Sequence, residues 1–452
     1  MNDTTFLIRG GIVLPLEGRR ISHDPGSVLV VDGTIAAVGS IDEVAALPAA
    51  AAAPAVDATN HVVVPGMHNA HLHSGLLRGT AESLALFDWL ENYVDPAHRA
   101  LTPEIARAAS YMAYTECLQG GTTSVLDMWR FMEGSAEAAT DIGIRATLAP
   151  YTADRYDYFE SLESNRRLLE THHSAADGRV RVWVGLEHML YCSPEMFRDA
   201  AALAAEFDTG IHTHSSESVW EVSESLRLFG RRPIEEFYNR GILGETTVVA
   251  HCVWLDDREV ELMVRTGTAA THCPCSNMKL ASGPARIGHY RSSGMTVGLG
   301  TDGEKENNNL DMLGEMKFAS LLAKVSTLDP TAADPWDILE MATRAGAAAL
   351  GLDDTTGTLE VGKDADIAMV DIGGLHFVPV MHGRHFNAPA HLVFTASARD
   401  VSDVWVQGRR LVQDGQVTSV DVATVAADAQ AAAEELFERR EALKGNPAVP
   451  LW

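Results

Sequence analysis

Two patterns of hydrophobic and polar positions divide the chain. Near the start, FLIRGGIVLPL (6–16) and SVLVVDGTIAAVG (27–39) read as short strands. Asp32-Gly33, set between apolar runs, is a hairpin signal. Residues 45–56 are rich in Ala and Pro and predict a surface connection. From residue 61 short apolar runs alternate with amphipathic helical stretches. The predicted strands are HVVVPGMHNAHLH (61–73), TTSVLDM (122–128), RATLAPY (145–151), RVWVGLEHM (181–189), GIHTHSSE (210–217), TTVVAHCV (246–253), TAATHCP (268–274) and MTVGLGTDG (295–303). Helical patterns such as PEIARAASYMAYTECLQ and DDREVELMVRTG separate most of them. Past residue 358 the strand pattern returns in GTLEVGKDADIAMVDI and VSDVWVQGRRLVQDG, with a turn at Asp414-Gly415. The last stretch, 421–444, is an Ala/Glu-rich helix whose apolar spacing predicts docking.

Eight β–α alternations over about 240 residues are what a closed parallel barrel requires. An open doubly wound sheet would need a Gly-rich phosphate turn after its first strand, and none is there. The fold class expected is therefore α/β, a (β/α)₈ TIM-like barrel over 61–357. Residues 1–60 and 358–420 are expected to pair in one small β domain, and 421–452 to form the C-terminal helix and tail.

The chemistry lies in where His and Asp fall. His71-Leu72-His73 ends the first strand, and His212-Thr213-His214 the fifth, with Glu217 three residues on. His251 ends the sixth and Asp302 the eighth. The C-terminal strand ends of such a barrel form its active-site face. Residues i and i+2 of a strand share a face, so His71 and His73 can reach one ion. Imidazole and carboxylate ligands suit Zn²⁺, and also Fe²⁺, Mn²⁺ or Co²⁺. A lone His at a strand end is usually structural, and a single H-x-H is common by chance. Four strand ends of one rim supplying His or Asp are not.

With these residues in view, the chain resembles the amidohydrolase superfamily, in the branch of cytosine, guanine and S-adenosylhomocysteine/methylthioadenosine deaminases and s-triazine hydrolases. The resemblance rests on PGMHNAHLH, GGTTSVLDM, IHTHSSE, AHCVWL, HCPCSNMKLASG, LGTDGEKENNNLDM and GTLEVGKDADI, spread over nearly the whole chain. It implies a distorted barrel with a β-sandwich made from both termini. It also implies that His71, His73, His214 and Asp302 ligate a metal, that Glu217 shuttles protons, and that His251 faces the attacking water or the substrate; Asp302 would also accept a proton from that water. His212 receives no catalytic role. Binuclear relatives carry a carboxylated Lys at the end of strand four. Residues 179–192 contain no Lys, so one divalent ion is expected, Zn²⁺ first. The implied reaction is attack of metal-bound hydroxide on an amino-substituted nitrogen heterocycle of purine, pterin, pyrimidine or triazine type. Hydrolysis of a C–N or C–Cl bond in an s-triazine, phenylurea or carbamate is the alternative. A catalytically silent binding protein would have lost Glu217, His251 or Asp302, and all three are present.

Substrate contacts depart from the family pattern. Deaminases of this branch carry a Glu that holds ribose hydroxyls just before a W-L run. Here Phe87 takes that place, or Asp88 if the register slips by one residue, ahead of Trp89-Leu90. The segment Glu187–Ser193, with His188, is more apolar than its counterpart. Pro150-Tyr151 stands where arginines bind an amino-acid carboxylate. Trp89, His188, Phe87 and Glu304 are the expected substrate contacts. S-adenosylhomocysteine is expected to be a poorer substrate than a compact, nitrogen-rich ring or urea. Asn277, Lys279 and Ser282 are expected to order the loop after strand seven.

Composition narrows the partners. The 35 Lys and Arg against 62 Asp and Glu give a net charge of −27. Such a surface repels phosphate backbones and anionic lipid, which argues against nucleic acid and membrane as partners. The five cysteines are scattered and suggest no disulfide framework. Met1–Leu14 lacks a signal-peptide core. A cytoplasmic protein, homo-oligomeric (dimer or tetramer), with a small-molecule substrate is expected.

Overall fold

The computed structural model describes residues 4–18, 20–80, 82–83 and 89–443. Strands β1 (Phe6–Val13), β2 (His23–Val31), β3 (Thr34–Ser40), β4 (Ala55–Asp57) and β5 (His61–Pro65) open the chain. The β2–β3 hairpin turns at Asp32 and Gly33, whose φ values of 50° and 82° are those of a tight primed turn. The Ala/Pro stretch forms two short helices, Ile41–Ala45 and Pro48–Ala52, and then β4, which runs parallel to β1. The segment 61–73, expected to be one strand, is two. β5 lies between β1 and a late strand, and the chain crosses at Gly66 into the barrel. A side chain at Gly66 would collide with Thr123, so the crossing is confined to glycine.

The barrel strands are β6 (Met67–Leu72), β7 (Thr122–Trp129), β8 (Arg145–Pro150), β9 (Val180–Val182), β10 (Val184–His188), β11 (Ile211–Ser215), β12 (Thr247–His251), β13 (Ala269–His272) and β14 (Val297–Leu299). They pair in parallel in the orders β6-β7-β8-β9 and β10-β11-β12-β13-β14. The predicted fourth strand breaks at Trp183, whose N–H turns to Leu148 while Val184 N–H goes to Gly210. Between β14 and β6, the Asp302 N–H donates to the His71 carbonyl and the Asn69 side chain accepts from Thr301 N–H. These bonds close the ring, and a (β/α)₈ barrel results.

Strands β15 (Ile367–Asp371), β16 (Val401–Val406), β17 (Arg409–Gln413) and β18 (Gln416–Val417) join β1–β5 in a nine-stranded sheet, consistent with a small sandwich built from both ends. Ile8, Val28, Val30, Ile367, Met369 and Trp405 pack in its core. The helix Val422–Glu441 docks beside the barrel helix Pro103–Gln119. Its Leu436 is buried, Arg439 Nε donates to the Ala100 carbonyl at 2.7 Å, and the Arg440 guanidinium lies 3.7 Å over the Tyr93 ring. Among the described residues no helix is long and apolar enough to cross a membrane, and all five thiols are free.

Candidate metal and active site

The ends of β6, β11, β12 and β14 converge on one buried cluster. Several turns there use backbone that L side chains rarely adopt: φ is 54° at Ser216, 71° at His251, 49° at Cys252 and 61° at Asp302. Each such residue costs on the order of 1–3 kcal/mol and persists where the surroundings enforce it, commonly at functional sites.

The hydrogen bonds assign the protons. His73 Nδ1 lies 2.7 Å from the Met128 carbonyl, and His214 Nδ1 lies 2.6 Å from the Glu187 carbonyl. A carbonyl only accepts, so both Nδ1 atoms carry hydrogen and both Nε2 atoms are lone pairs. Those two Nε2 atoms face each other at 3.1 Å. His212 Nδ1 lies 3.0 Å from the Val248 carbonyl, which leaves its Nε2 to accept from His71 Nδ1 at 2.8 Å. His71 Nε2 is then also a lone pair, with no hydrogen-bond partner, 3.4 Å from Asp302 Oδ1; His73 Nε2 is 3.5 Å from the same oxygen. Four acceptors converge with no hydrogen between them. Burial, the largest cause, holds the pKa values of His73 and His214 well below the ordinary imidazole value, so both rings are neutral. A neutral, carbonyl-oriented imidazole set with one carboxylate fits a divalent cation, and His71, His73 and Asp302 lie close enough to share one, as do His71, His214 and His251.

Asp302 is oriented in turn. Ser276 Oγ donates to its Oδ2 at 2.6 Å and Gly303 N–H to its Oδ1 at 2.8 Å. His251 Nε2 stands 3.9 Å from Asp302 Oδ2 and 3.8 Å from Glu217 Oε2, while its Nδ1 meets Asn277 Oδ1 at 3.2 Å. Burial pulls the His251 imidazolium down, but Glu217 and Asp302 outweigh it and leave its pKa raised. Glu217 Oε1 accepts from Ser282 Oγ at 3.1 Å, and burial raises its pKa. Asn277 and Ser282, expected only to order a loop, thus reach the site. Lys279 ties that loop to the Lys305 carbonyl at 2.8 Å.

A cavity of about 830 Å³ opens from this cluster and is lined by His73, His214, Glu217, His251 and Asp302 at its floor. Trp89 and His188 line it as expected for substrate contacts. Phe87 lies outside the described residues. Glu304 does not line the cavity: it is fully buried and its Oε1 accepts from Leu77 N–H at 2.9 Å, joining the loops after β14 and β6. One helical turn of the same loop instead presents Glu306. The reason is rotation: residues two apart in a helical turn point in different directions.

Sequence reasoning missed Glu221. Its carboxylate accepts from Ser216 N–H at 2.7 Å and Glu217 N–H at 2.8 Å, and it lies 3.2 Å from His188 Nε2. It therefore holds the corner that presents Glu217. Burial opposes the charge on His188, yet Glu221 pushes its pKa up to about 9. The signal was available: Ser218-x-x-Glu221 has the form of a capping box, and Ser218 does cap the helix Val219–Phe229.

The model of the Amidohydrolase family matches residues 62–411. A 5'-deoxyadenosine deaminase of Methanothermobacter thermautotrophicus is 38% identical over 441 residues, covering 96% of this chain and all of the relative. A 5-methylthioadenosine/S-adenosylhomocysteine deaminase of Thermoanaerobacter pseudethanolicus is 34% identical, with 96% of this chain and 100% of the relative covered. Among solved structures, an adenosine deaminase from Xanthomonas campestris with bound zinc superposes with a TM-score of 0.89 at 29% identity, over 96% of this chain and 98% of that one. The chain belongs to the amidohydrolase family and is a hydrolase acting on carbon–nitrogen bonds.

Proposed function

We propose that this protein hydrolytically deaminates the six-membered ring of an aminopurine nucleoside whose 5' end is neutral, using one divalent ion, Zn²⁺ first, held by His71, His73, His214 and Asp302. The observation that carries the reading is the convergence of four proton-free acceptors beside Glu217 and His251, at the floor of a cavity far larger than the cluster itself. When bound, such an ion brings the pKa of water toward about 7.

The chain's own groups do the rest. Burial favours the neutral form of Glu217, which delivers a proton to the ring nitrogen next to the amino-bearing carbon. His251 is oriented through Nδ1 by Asn277, and its Nε2 donates toward the attacking water oxygen. The C–O bond forms as Asp302 takes one proton from the water and passes it to the amino group; the C–N bond breaks, ammonia leaves, and the remaining hydroxyl proton returns to Glu217 as the carbonyl forms.

Two observations support a nucleoside over a compact ring as the substrate. The cavity volume lies in the range of about 300–1,000 Å³ that takes drug-sized ligands. Relatives named for 5'-deoxyadenosine and 5-methylthioadenosine cover this chain almost end to end. An amino-acid tail remains disfavoured. The cavity's Arg155 donates to the Leu190 carbonyl at 2.9 Å, and its Arg227 is engaged by Glu224 at 2.6 Å.

The test is ammonia release by zinc-reconstituted protein across 5'-deoxyadenosine, methylthioadenosine, S-adenosylhomocysteine, free aminated heterocycles, s-triazines and arylureas. The neutral 5' nucleosides should give the highest kcat/KM. Turnover confined to triazines or ureas would overturn the reading.

A further inference from the structure

Glu306 stands apart from the groups used so far. It is 5% exposed and lines the substrate cavity. Its Oε1 meets Lys305 Nζ at 2.9 Å, and Lys305 is itself 4% exposed. Its other oxygen, Oε2, is buried without any hydrogen-bond partner. The turn that presents it is firmly held. Asn307 Nδ2 donates to the Thr301 carbonyl at 2.8 Å and to Glu315 Oε1 at 2.7 Å, and Lys279 holds the Lys305 carbonyl. The carboxylate packs against Gly303 of the same turn.

A buried acceptor left unpaired is costly, and a rigid turn with its own counter-ion keeps this one in place. The same cavity contains a complementary orphan: Trp89 lines it, and the indole Nε1–H has no acceptor. The residues that line the cavity thus include one unpaired acceptor and one unpaired donor. The acceptor repels an anion, and the adjacent Lys305 cation disfavours a positively charged group. A neutral O–H is the donor that remains, and a substrate hydroxyl supplies it. We infer that Glu306, clamped by Lys305, is a specificity-determining residue that accepts a hydrogen bond from a hydroxyl of the substrate. The inference rests on the nucleoside reading above and names which part of the nucleoside the loop after β14 recognises.

The experiment compares 5'-deoxyadenosine with its 2'-deoxy and 3'-deoxy counterparts on the zinc-loaded enzyme. Wild type should lose roughly tenfold or more in kcat/KM when the contacted hydroxyl is removed, the consequence of leaving a buried acceptor unpaired. Glu306→Gln should lower kcat/KM for the hydroxylated substrate and shrink that discrimination. The double variant Lys305→Met/Glu306→Leu removes both charges together, so that neither is stranded, and should erase the discrimination with metal content and melting temperature retained. Discrimination that survives in both variants overturns the inference, as does an equal loss on all three substrates or a wild type indifferent to the hydroxyls. A wild type that deaminates no aminopurine nucleoside overturns the functional reading itself, and this inference with it.

Discussion

Two buried ionic clusters sit at opposite ends of the barrel strands, and their polar balance differs. At the start of β8, Arg145 donates to Asp366 and Asp364 at 2.6 Å each, and Asp366 also accepts from Gln407 N–H at 2.8 Å. Its side chain is 5% exposed and Asp366's is 0%. Donors and acceptors match, and the cluster ties the barrel to the terminal sheet. At the strand ends on the other face, burial is as deep, but His71, His73, His214 and Asp302 present acceptors with no donors between them. Burial and charge alone do not separate the two clusters. What separates them is that donors and acceptors match within the first, whereas the second gathers acceptors alone.

The largest expected effect tests the acceptor cluster. Glu217→Gln should lower kcat by about 10²–10⁴, the usual range for general acid–base catalysis. Metal content by elemental analysis and the melting temperature should stay near wild type, because Glu217 is proposed to move a proton and not to hold the ion. Near-normal turnover by the metal-loaded variant would remove it from the chemistry.

The matched cluster should fail in the opposite way. Arg145→Met strands the buried Asp366 carboxylate and should destabilise the protein by about 3–5 kcal/mol, the typical cost of breaking a buried pair. Urea unfolding reads that loss, while kcat per folded molecule should hardly change. A stable variant with impaired turnover would mean that the two ends are not separate in role.

A third buried carboxylate lies between these extremes. Asp127 is fully bonded, but only by neutral donors: Ser74 N–H at 3.0 Å, Ser74 Oγ at 2.8 Å and Tyr114 OH at 2.8 Å. Burial raises its pKa from 3.8 to about 6 against the pull of those donors. An acid with a raised folded pKa binds its proton more tightly in the native state. Its stabilising contribution is therefore full below about 4 and is lost as pH rises through about 6. Between those limits wild type should lose about 2–3 kcal/mol relative to Asp127→Asn, from a shift of roughly two units. Melting temperatures of both proteins across that window check the slope; parallel curves would show that Asp127 does not titrate there.

Much of the rim was legible because it is local. The i, i+2 spacing of His71 and His73 puts both on one face of β6, and a strand-end position tells which rim a side chain joins. The capping signal at Ser218 and Glu221 was equally local, and only its consequence for Glu217 was missed. The substrate side was less legible. Glu304 and Glu306 share a short turn, and composition gives no means of choosing which faces the cavity. Helix phase decides it, and that phase is set by Asn307 bonding to Thr301 and Glu315.

By itself, the sequence determined the alternation that closes a parallel barrel, the glycine and Asp-Gly turns that punctuate the terminal strands, and the delivery of His and Asp to the C-terminal strand ends. Each of these follows from short-range periodicity, which the chain carries in its own order. Tertiary structure alone decided that β5 leaves the barrel for the terminal sheet, that Ser276 and Asn277 orient Asp302 and His251, and which buried polar atoms remain unpaired. Hydrogen-bond saturation is a property of groups distant in sequence and adjacent in space. His71 and His212 are 141 residues apart, yet their bond leaves the lone pair on His71 Nε2.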